Sequence, residues 1–473
     1  MSRKRVAVLC VADSLTKYLY QSLRFVLSAR NINTDHQFVC FVGYFDGAPQ
    51  YFDHALRDLG AEPIRLVRYS KSHGPSNKLA ILRAPRISEF DTVILADCDV
   101  VFIDGFDDVL ARGGFQAKIA DVMTLPESTL RKVFSLAGRA MPDTRFVTTL
   151  DRAPTILYCN AGLVVFDKAI LSSFVDRWFY WNDMLLRQQS VMGRLSFFTD
   201  QASFCLAAEE FPEEFYPLDI DMNYPTHFPV EAYPESELNR SARVIHYHDA
   251  IDPRSPMLDM TRIRGQHSGI SKINKLLSEC QTLTSGPLFW DFFYSNRLTG
   301  DGEDPFYNFR VGLISQVIKR IGAESIIDLG CGALPLSTGV DVESFVGIDF
   351  SQEAIAAAGK MDPLGKYYLT HIRDSSLQAE MVLLVDVLPY IPASDEFQEI
   401  VEKAAAAALD VLVLSGLEEP IDAWNRPQTF FHLPVEQVIS ALSGFDFHKI
   451  GQAAHQGFYL GHRRKVRRVR SKT

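Results

Sequence analysis

No stretch of this 473-residue chain approaches the ~20 consecutive apolar residues that a bilayer-spanning helix requires, so a helical membrane span is excluded. The opening residues, MSRKRVAVLCVADS, are basic at the start. Their apolar stretch stops at Asp13 without a small-residue cleavage pattern, so they read as a buried first strand rather than a signal peptide. Cysteine is scarce: seven residues, odd in number and scattered, argue against a disulfide framework and make a reducing cytoplasm the expected location. The chain contains no internal repeat and no low-complexity tract, which leaves ordinary globular domains. Neither prospective core carries the basic pattern of a nucleic-acid binder, and no nucleic-acid partner is expected.

What is present fits a soluble protein with a sizeable core: 47% of residues are hydrophobic and 22% charged. The length calls for two or three domains. The net charge of −10 conceals a basic end, HRRKVRRVRSKT. Residues 463–473 read as a solvated tail, or as a peripheral contact with the inner membrane face or a polyanionic substrate.

Two strand–helix programmes follow one another. The first predicts strands at Arg5–Val11, Gln37–Tyr44, Pro63–Val67 and Thr92–Ala96, with helices at Thr16–Arg30, Tyr51–Leu59 and Lys78–Arg86. The second predicts strands at Glu324–Leu329, Ser344–Asp349, Glu380–Val385 and Asp410–Ser415, with a helix at Gln352–Gly359. Alternation of this kind predicts α/β sheets covered on both faces. The stretch QTLTSGP between them reads as a linker. The expected division is 1–280, a linker at 281–287, a second domain at 288–462, and the tail.

In the first programme, "TVILADCD" runs an apolar strand straight into Asp97 and Asp99. Ligands in open α/β sheets bind at such carboxyl ends. In extended chain the two carboxylates point the same way and Cys98 the other. Like charges that close repel unless a cation sits between them, so a hard divalent ion bridging a diphosphate is the natural occupant. A solvated strand end is the plain alternative.

The order of motifs resembles GT-A glycosyltransferases, in particular glycosyltransferase family 8, the glycogenin and galactosyltransferase group, over residues 1–270. "LCVADSLTKYLYQSL" places Asp13 and Tyr18 where that family cradles the nucleoside, and "NKLAILRAPRISEFDTVILADCD" offers Lys78 to the diphosphate or sugar. "YCNAGLVVFD" supplies Asn160, Ala161 and Gly162, and "TDQASFCLA" supplies Asp200 and Gln201, to the donor sugar. "VIHYHDAID" supplies His246, with His248 as the fallback, as third metal ligand beside Asp97 and Asp99. The family's Lys-Pro-Trp after the histidine is replaced by Asp252-Pro253-Arg254, which makes Arg254 a substitute for the lysine. The resemblance implies Mn2+ or Mg2+, a UDP-sugar donor and retention of configuration. Without it, Tyr18 reads as a packed helix residue, Lys78 as a solvated charge, Asn160 as a turn cap, Asp200 as a helix-start acid and His246 as structural.

In the second programme, "SIIDLGCGALPLSTGVDVESFVGIDFS" joins a strand, a glycine turn and a second strand ending in Asp349. Pro335 stands where a dinucleotide fingerprint would have its third glycine. The string resembles class I S-adenosylmethionine-dependent methyltransferases over residues 288–462, which have a seven-stranded Rossmann-like sheet. By that resemblance Asp328, Gly330 and Gly332 line the methionine side and Asp349 holds the ribose. Asp374 lies by the adenine, and Asp386 faces the sulfonium or acceptor. The sequence does not identify the acceptor's general base; His371 and His432 are weak candidates, and each also reads as a core or surface histidine. The aromatic segment from Pro287 reads as a cap over the cofactor.

The expected protein is therefore bifunctional. It adds a sugar to a glycan or glycosylated acceptor, as in polysaccharide biosynthesis, and methylates the same product. The alternatives are one catalytic half with the other a substrate-binding scaffold, or a nucleotidyltransferase in the first half. The last would need a glycine-rich, arginine-containing loop after the first strand, and "VADSLTKY" has none.

Overall fold

The computed structural model describes residues 3–248, 250, 257–263, 265, 267–297, 307–339, 342–391, 395–418, 433–453 and 455–464. Arg254, His432 and residues 465–473 of the basic tail lie outside this set. The chain forms two compact units, Met1–Asp252 with Pro256–Cys280, and Gln281–Thr473 with Pro253–Ser255. No helix among the described residues is long and apolar enough to cross a membrane.

Unit one contains β1 (Arg5–Ala12), β2 (Gln37–Tyr44), β3 (Glu62–Arg65), β4 (Thr92–Ala96), β5 (Val100–Phe102), β6 (Phe115–Ile119), β7 (Phe146–Val147), β8 (Pro154–Thr155), β9 (Cys159–Asp167), β10 (Phe215–Leu218), β11 (Tyr224–Pro225) and β12 (Val244–His246). Its main sheet is mixed and runs β10-β6-β9-β4-β1-β2-β3. β1 pairs in parallel with β2 and β4, and β9 runs antiparallel to β4 and β6. β4 is buried at every position, which is why its sequence shows no alternation: both faces are covered. A second sheet, β11-β12-β5, is built on the antiparallel pairing of β5 with β12, which sets His246 opposite Val100.

The helix expected at Lys78–Arg86 is instead two 3-10 stretches, Pro75–Arg83 and Pro85–Glu89. Ala84 between them is extended (φ −65°, ψ 133°), because the ring of Pro85 disfavours helical backbone in the residue before it.

Unit two contains β13 (Ser325–Leu329), β14 (Ser344–Asp349), β15 (Lys366–Leu369), β16 (Ala379–Leu384), β17 (Ala408–Leu417), β18 (Phe445–Ala453) and β19 (Gln456–Arg463). These form the expected Rossmann-like seven-stranded sheet, in the order β15-β14-β13-β16-β17-β19-β18. β19 is antiparallel to both neighbours, and the pairings from β15 through to β17 are parallel. The strand order reverses at β13, where open α/β sheets leave a crevice at the carboxyl ends. The residues expected to link the domains form helix Gln281–Thr284 and the start of helix Pro287–Arg297.

Candidate active sites

In unit one, β4 delivers Asp97 and β5 takes the chain away after Asp99. The two carboxylates find different partners. Asp97 Oδ1 accepts from Lys78 Nζ at 3.1 Å, and the same ammonium donates to the Ala161 carbonyl (3.0 Å) and lies 3.0 Å from Asp200 Oδ2. Burial alone would lower the Lys78 pKa, but Asp97 and Asp200 outweigh it and hold the amine protonated.

Asp99 meets the histidines instead. Its Oδ1 lies 3.1 Å from His246 Nε2 and its Oδ2 lies 3.7 Å from His248 Nδ1. Asp99, His246 and His248 offer ligand atoms that all lie within 4.8 Å of one another, with Asp97 outside this group. Burial would raise the Asp99 carboxyl, and the two imidazoles more than reverse that, holding it at about 2. Burial and the neighbouring His246 hold His248 neutral. The sequence places Cys98 on the opposite side, and it is buried with its thiol 3.6 Å from Gln21 Oε1.

Three observations fit this corner to a divalent cation. Asn223 Oδ1 accepts from His246 Nδ1 at 3.2 Å, which turns Nε2, the atom that ligates, towards Asp99. A bare lone pair on Nε2 would repel the Asp99 carboxylate, so a proton or a metal belongs between them. The buried Nε2 of His248 has no hydrogen-bond partner among the described residues. One carboxylate and two imidazoles form a competent donor set.

Gly162 makes room for this arrangement. A Cβ there would sit 2.6 Å from His246 Cε1 and 2.9 Å from its Nδ1. Gly162→Ala should therefore push the imidazole off Asp99 and weaken Mn2+ binding about 10–100-fold without removing any ligand, as read by calorimetric titration. Unchanged Mn2+ affinity in that variant would show that His246 is not a ligand. Asn160 acts locally, its Oδ1 accepting from Gly162 N at 2.8 Å. Asp200 stands in the first turn of helix Thr199–Ala208 with its side chain 7% exposed, so it is a helix-start acid and a Lys78 partner at once. Tyr18 is partly exposed; burial and, more weakly, the charges on Asp99 and Asp13 raise its phenol.

Sequence reasoning missed three groups here. Arg68 forms a bidentate pair with Asp13. His227 packs edge-on to His248 with ring centres 4.0 Å apart. The buried pair Lys118–Asp121 stands at the end of β6. The last carried a readable signal, a lysine inside an apolar strand with an acid three residues on.

In unit two, Asp328 on β13 and Asp349 at the end of β14 are both buried. Asp349 accepts from Gly332 N (3.0 Å) and Ser351 N (2.8 Å), so it shapes the glycine turn. Gly330 (φ 76°) and Gly332 (φ 61°) have left-handed backbones. A Cβ on Gly332 would lie 2.8 Å from the Tyr294 hydroxyl of the aromatic helix Pro287–Arg297. Asp386 follows β16 at φ 59°; its amide donates to Ser415 Oγ (2.8 Å), and its Oδ2 lies 2.5 Å from Arg310 Nη1. Asp374 ends the turn Ile372–Asp374 and is exposed. His371 pairs with Glu396 at 3.3 Å.

Arg310 and Asp291 are further residues that the sequence reading missed. Asp291 Oδ1 accepts from Ser351 Oγ (2.6 Å) and Glu353 N (3.2 Å), capping the helix after β14. A lone buried acid in an aromatic run could have flagged it.

Burial, then the charges of Asp349 and Asp386, push Asp328 up to about 7; burial pushes Asp349 up to about 6. A raised carboxyl stabilises the fold below its unfolded pKa, and that contribution is lost as pH rises through the folded value. Asp328→Asn should thus raise the thermal midpoint of ligand-free protein at pH 8, by about 2–4 °C per kcal/mol relieved, and leave it unchanged near pH 4. Calorimetric scans at the two pH values check this; equal effects at both would refute it.

Residues 8–212 match the family described as the Rhodobacterales glycosyltransferase domain. The N-terminal unit contains a glycosyltransferase domain over these residues. Among solved structures, this chain is similar to the galactosyltransferase LgtC in complex with donor and acceptor sugar analogs, at 15% identity over 58% of this chain and 96% of that one, with a TM-score of 0.38. It is also similar to magnesium protoporphyrin IX methyltransferase (ChlM) from Synechocystis PCC 6803 with bound SAM, at 16% identity, 39% and 94% coverage and a TM-score of 0.30. A third is the N-methyltransferase NodS from Bradyrhizobium japonicum WM9 in complex with S-adenosyl-L-homocysteine, at 16% identity, 36% and 97% coverage and a TM-score of 0.31. No curated protein sequence matches the chain. Asp99 lies within the residues matched to the glycosyltransferase family, whereas His246 and His248 lie beyond them in the same compact unit.

Proposed function

We propose that the chain transfers a sugar from a nucleotide-sugar, a UDP-sugar with retention of configuration, to a glycan or glycosylated acceptor, and methylates the same product from S-adenosylmethionine. The observation that carries the first half is the cluster of Asp99, His246 and His248 beside the Lys78 ammonium. Asp99, His246 and His248 would hold Mn2+ or Mg2+, which when bound stabilises negative charge on the departing diphosphate. Lys78, kept protonated by Asp97 and Asp200, adds a second fixed positive charge for that oxyanion. Asp200 and the Asn160–Gly162 turn lie against Lys78 and His246, where donor-sugar hydroxyls would meet them.

For the second half, the carboxyls of Asp328, Asp349 and Asp386 gather at the strand ends, where a bound sulfonium cation would favour their ionised forms. Asp349 would accept from the ribose hydroxyls, and the Tyr294 hydroxyl lies against Gly332. Having both activities on one chain raises the local concentration of one product at the other site. The test incubates the full chain with nucleotide-sugars, carbohydrate acceptors, Mn2+ and S-adenosylmethionine, and reads product masses with and without EDTA. Mass gains of one sugar, sensitive to EDTA, and of one methyl group are expected. EDTA-insensitive glycosyl transfer would remove the metal assignment, and methylation independent of the glycosylated species would remove the coupling.

A further inference from the structure

We propose that His73 is a positioning residue, which ties the loop leading into Lys78 to the turn leading into Asp200 and so fixes the Lys78 ammonium for sugar transfer. The inference rests on the glycosyl-transfer reading above and adds a group that acts through Lys78. His73 lies just ahead of the 3-10 stretch Pro75–Arg83, which carries Lys78. Phe197 lies in the 3-10 stretch Gly193–Phe198, which runs directly into the helix carrying Asp200.

The imidazole bridges these two segments. Its Nδ1 accepts from Ser76 N at 3.2 Å and lies 2.7 Å from Ser76 Oγ. Its Nε2 lies 3.2 Å from the Phe197 carbonyl oxygen. A carbonyl can only accept, so the proton on Nε2 is donated across to Phe197. The contacts then close into a ring. The chain runs from His73 through Ser76 to Lys78, whose Nζ lies 3.0 Å from Asp200 Oδ2. From Asp200 it runs back through Thr199 to Phe197, and the Phe197 carbonyl returns to His73. Both arms are anchored. Asn77 Oδ1 accepts from Ser70 N (2.8 Å), and Ser70 Oγ accepts from His73 N (3.1 Å). Thr199 Oγ1 donates to Ser196 O (2.6 Å), and the Asp200 carbonyl accepts from Trp178 Nε1 (3.2 Å).

Two features assign the bridge to geometry rather than to packing. His73 is buried, and an apolar side chain could fill such a position with no polar group to satisfy. A buried imidazole bonded through both nitrogens instead specifies one arrangement of the two segments. The Phe197 ring is 66% exposed, so at this residue it is the carbonyl that is held and not the side chain. The requirement for such a tie comes from the lysine. Its ammonium rides on a flexible four-carbon stem, and it stabilises a developing oxyanion only where that charge forms. A misplacement of about 1 Å costs up to about 10²-fold in rate.

The test measures sugar transfer by the full chain with Mn2+, using the donor and acceptor that the mass screen identifies, alongside calorimetric Mn2+ binding. His73→Gln keeps an N–H near the place of Nε2 and should retain the wild-type kcat to within about 3-fold. His73→Asn keeps an acceptor near the place of Nδ1 but does not reach Phe197, and should lose about 10–100-fold in kcat. Mn2+ affinity should be unchanged in both, because Asp99, His246 and His248 keep their own contacts. In a Lys78→Met background, His73→Asn should cost less than about 3-fold more, because the group it positions is gone. Wild-type kcat in His73→Asn, equal losses in the Gln and Asn variants, loss of Mn2+ binding in step with kcat, or an undiminished loss in the Lys78→Met background would each overturn the inference while the glycosyl-transfer reading stands. A wild-type protein that transfers no sugar overturns both.

Discussion

Asp99→Asn is expected to lower metal-dependent glycosyl transfer at least 10²–10³-fold, roughly the loss seen when one preorganised charge-stabilising group is removed from an active site. The substitution keeps the shape and the backbone bond from Tyr247 N to the Asp99 carbonyl (3.0 Å). What it removes is the negative charge between two imidazoles, the feature that distinguishes a cation site from a hydrogen-bonded histidine cluster. Mn2+ affinity should fall in parallel. Methylation of an acceptor that already carries its sugar should be unchanged, because the carboxylates of unit two are untouched. Initial rates with and without added Mn2+, for both reactions, make the comparison. Transfer at the wild-type rate, still abolished by EDTA, would place the metal elsewhere.

The second large effect is expected from Asp349→Asn. Asp349 holds the glycine turn through the amides of Gly332 and Ser351, and in the function proposed above it also accepts from the ribose hydroxyls. Losing two charge-assisted hydrogen bonds, about 1.5–3 kcal/mol each, predicts at least a 10²-fold rise in the dissociation constant for S-adenosylmethionine. An amide can still accept from one donor, so the turn should survive; the thermal midpoint of the ligand-free protein should move far less than the affinity. Equilibrium binding and a melting curve on one preparation separate the two. Undiminished affinity would mean that the cofactor, if bound, lies away from β14.

The sheets were legible because their strands are buried on both faces and therefore read as unbroken apolar runs, as in β1, β4 and β13. The acids that interrupt those runs, Asp97, Asp99 and Asp328, were legible for the same reason. Asp349 stood out by its distance from the glycine turn. The broken helix after Pro75 was readable from Pro85, whose effect on Ala84 is local. Pairings made across the fold were not readable. Asp13 and Arg68 are 55 residues apart, and nothing near Arg68 marks it as a partner. Arg310 meets Asp386 only because a helix ahead of the sheet packs over its strand ends. The antiparallel pairing of β5 with β12 brings His246 to Asp99, and three-residue strands carry too short a pattern to be paired from sequence.

Those two short strands have a mechanical consequence. Only residues 97–99 separate the end of β4, in the larger sheet, from the start of β5, in the smaller one. An ion seated on Asp99 and His246 would rivet this junction, stiffening the small sheet at the moment the donor arrives. Amide exchange along Val244–His246 would then slow in step with loading of the nucleotide-sugar, giving a readout of occupancy that needs no turnover.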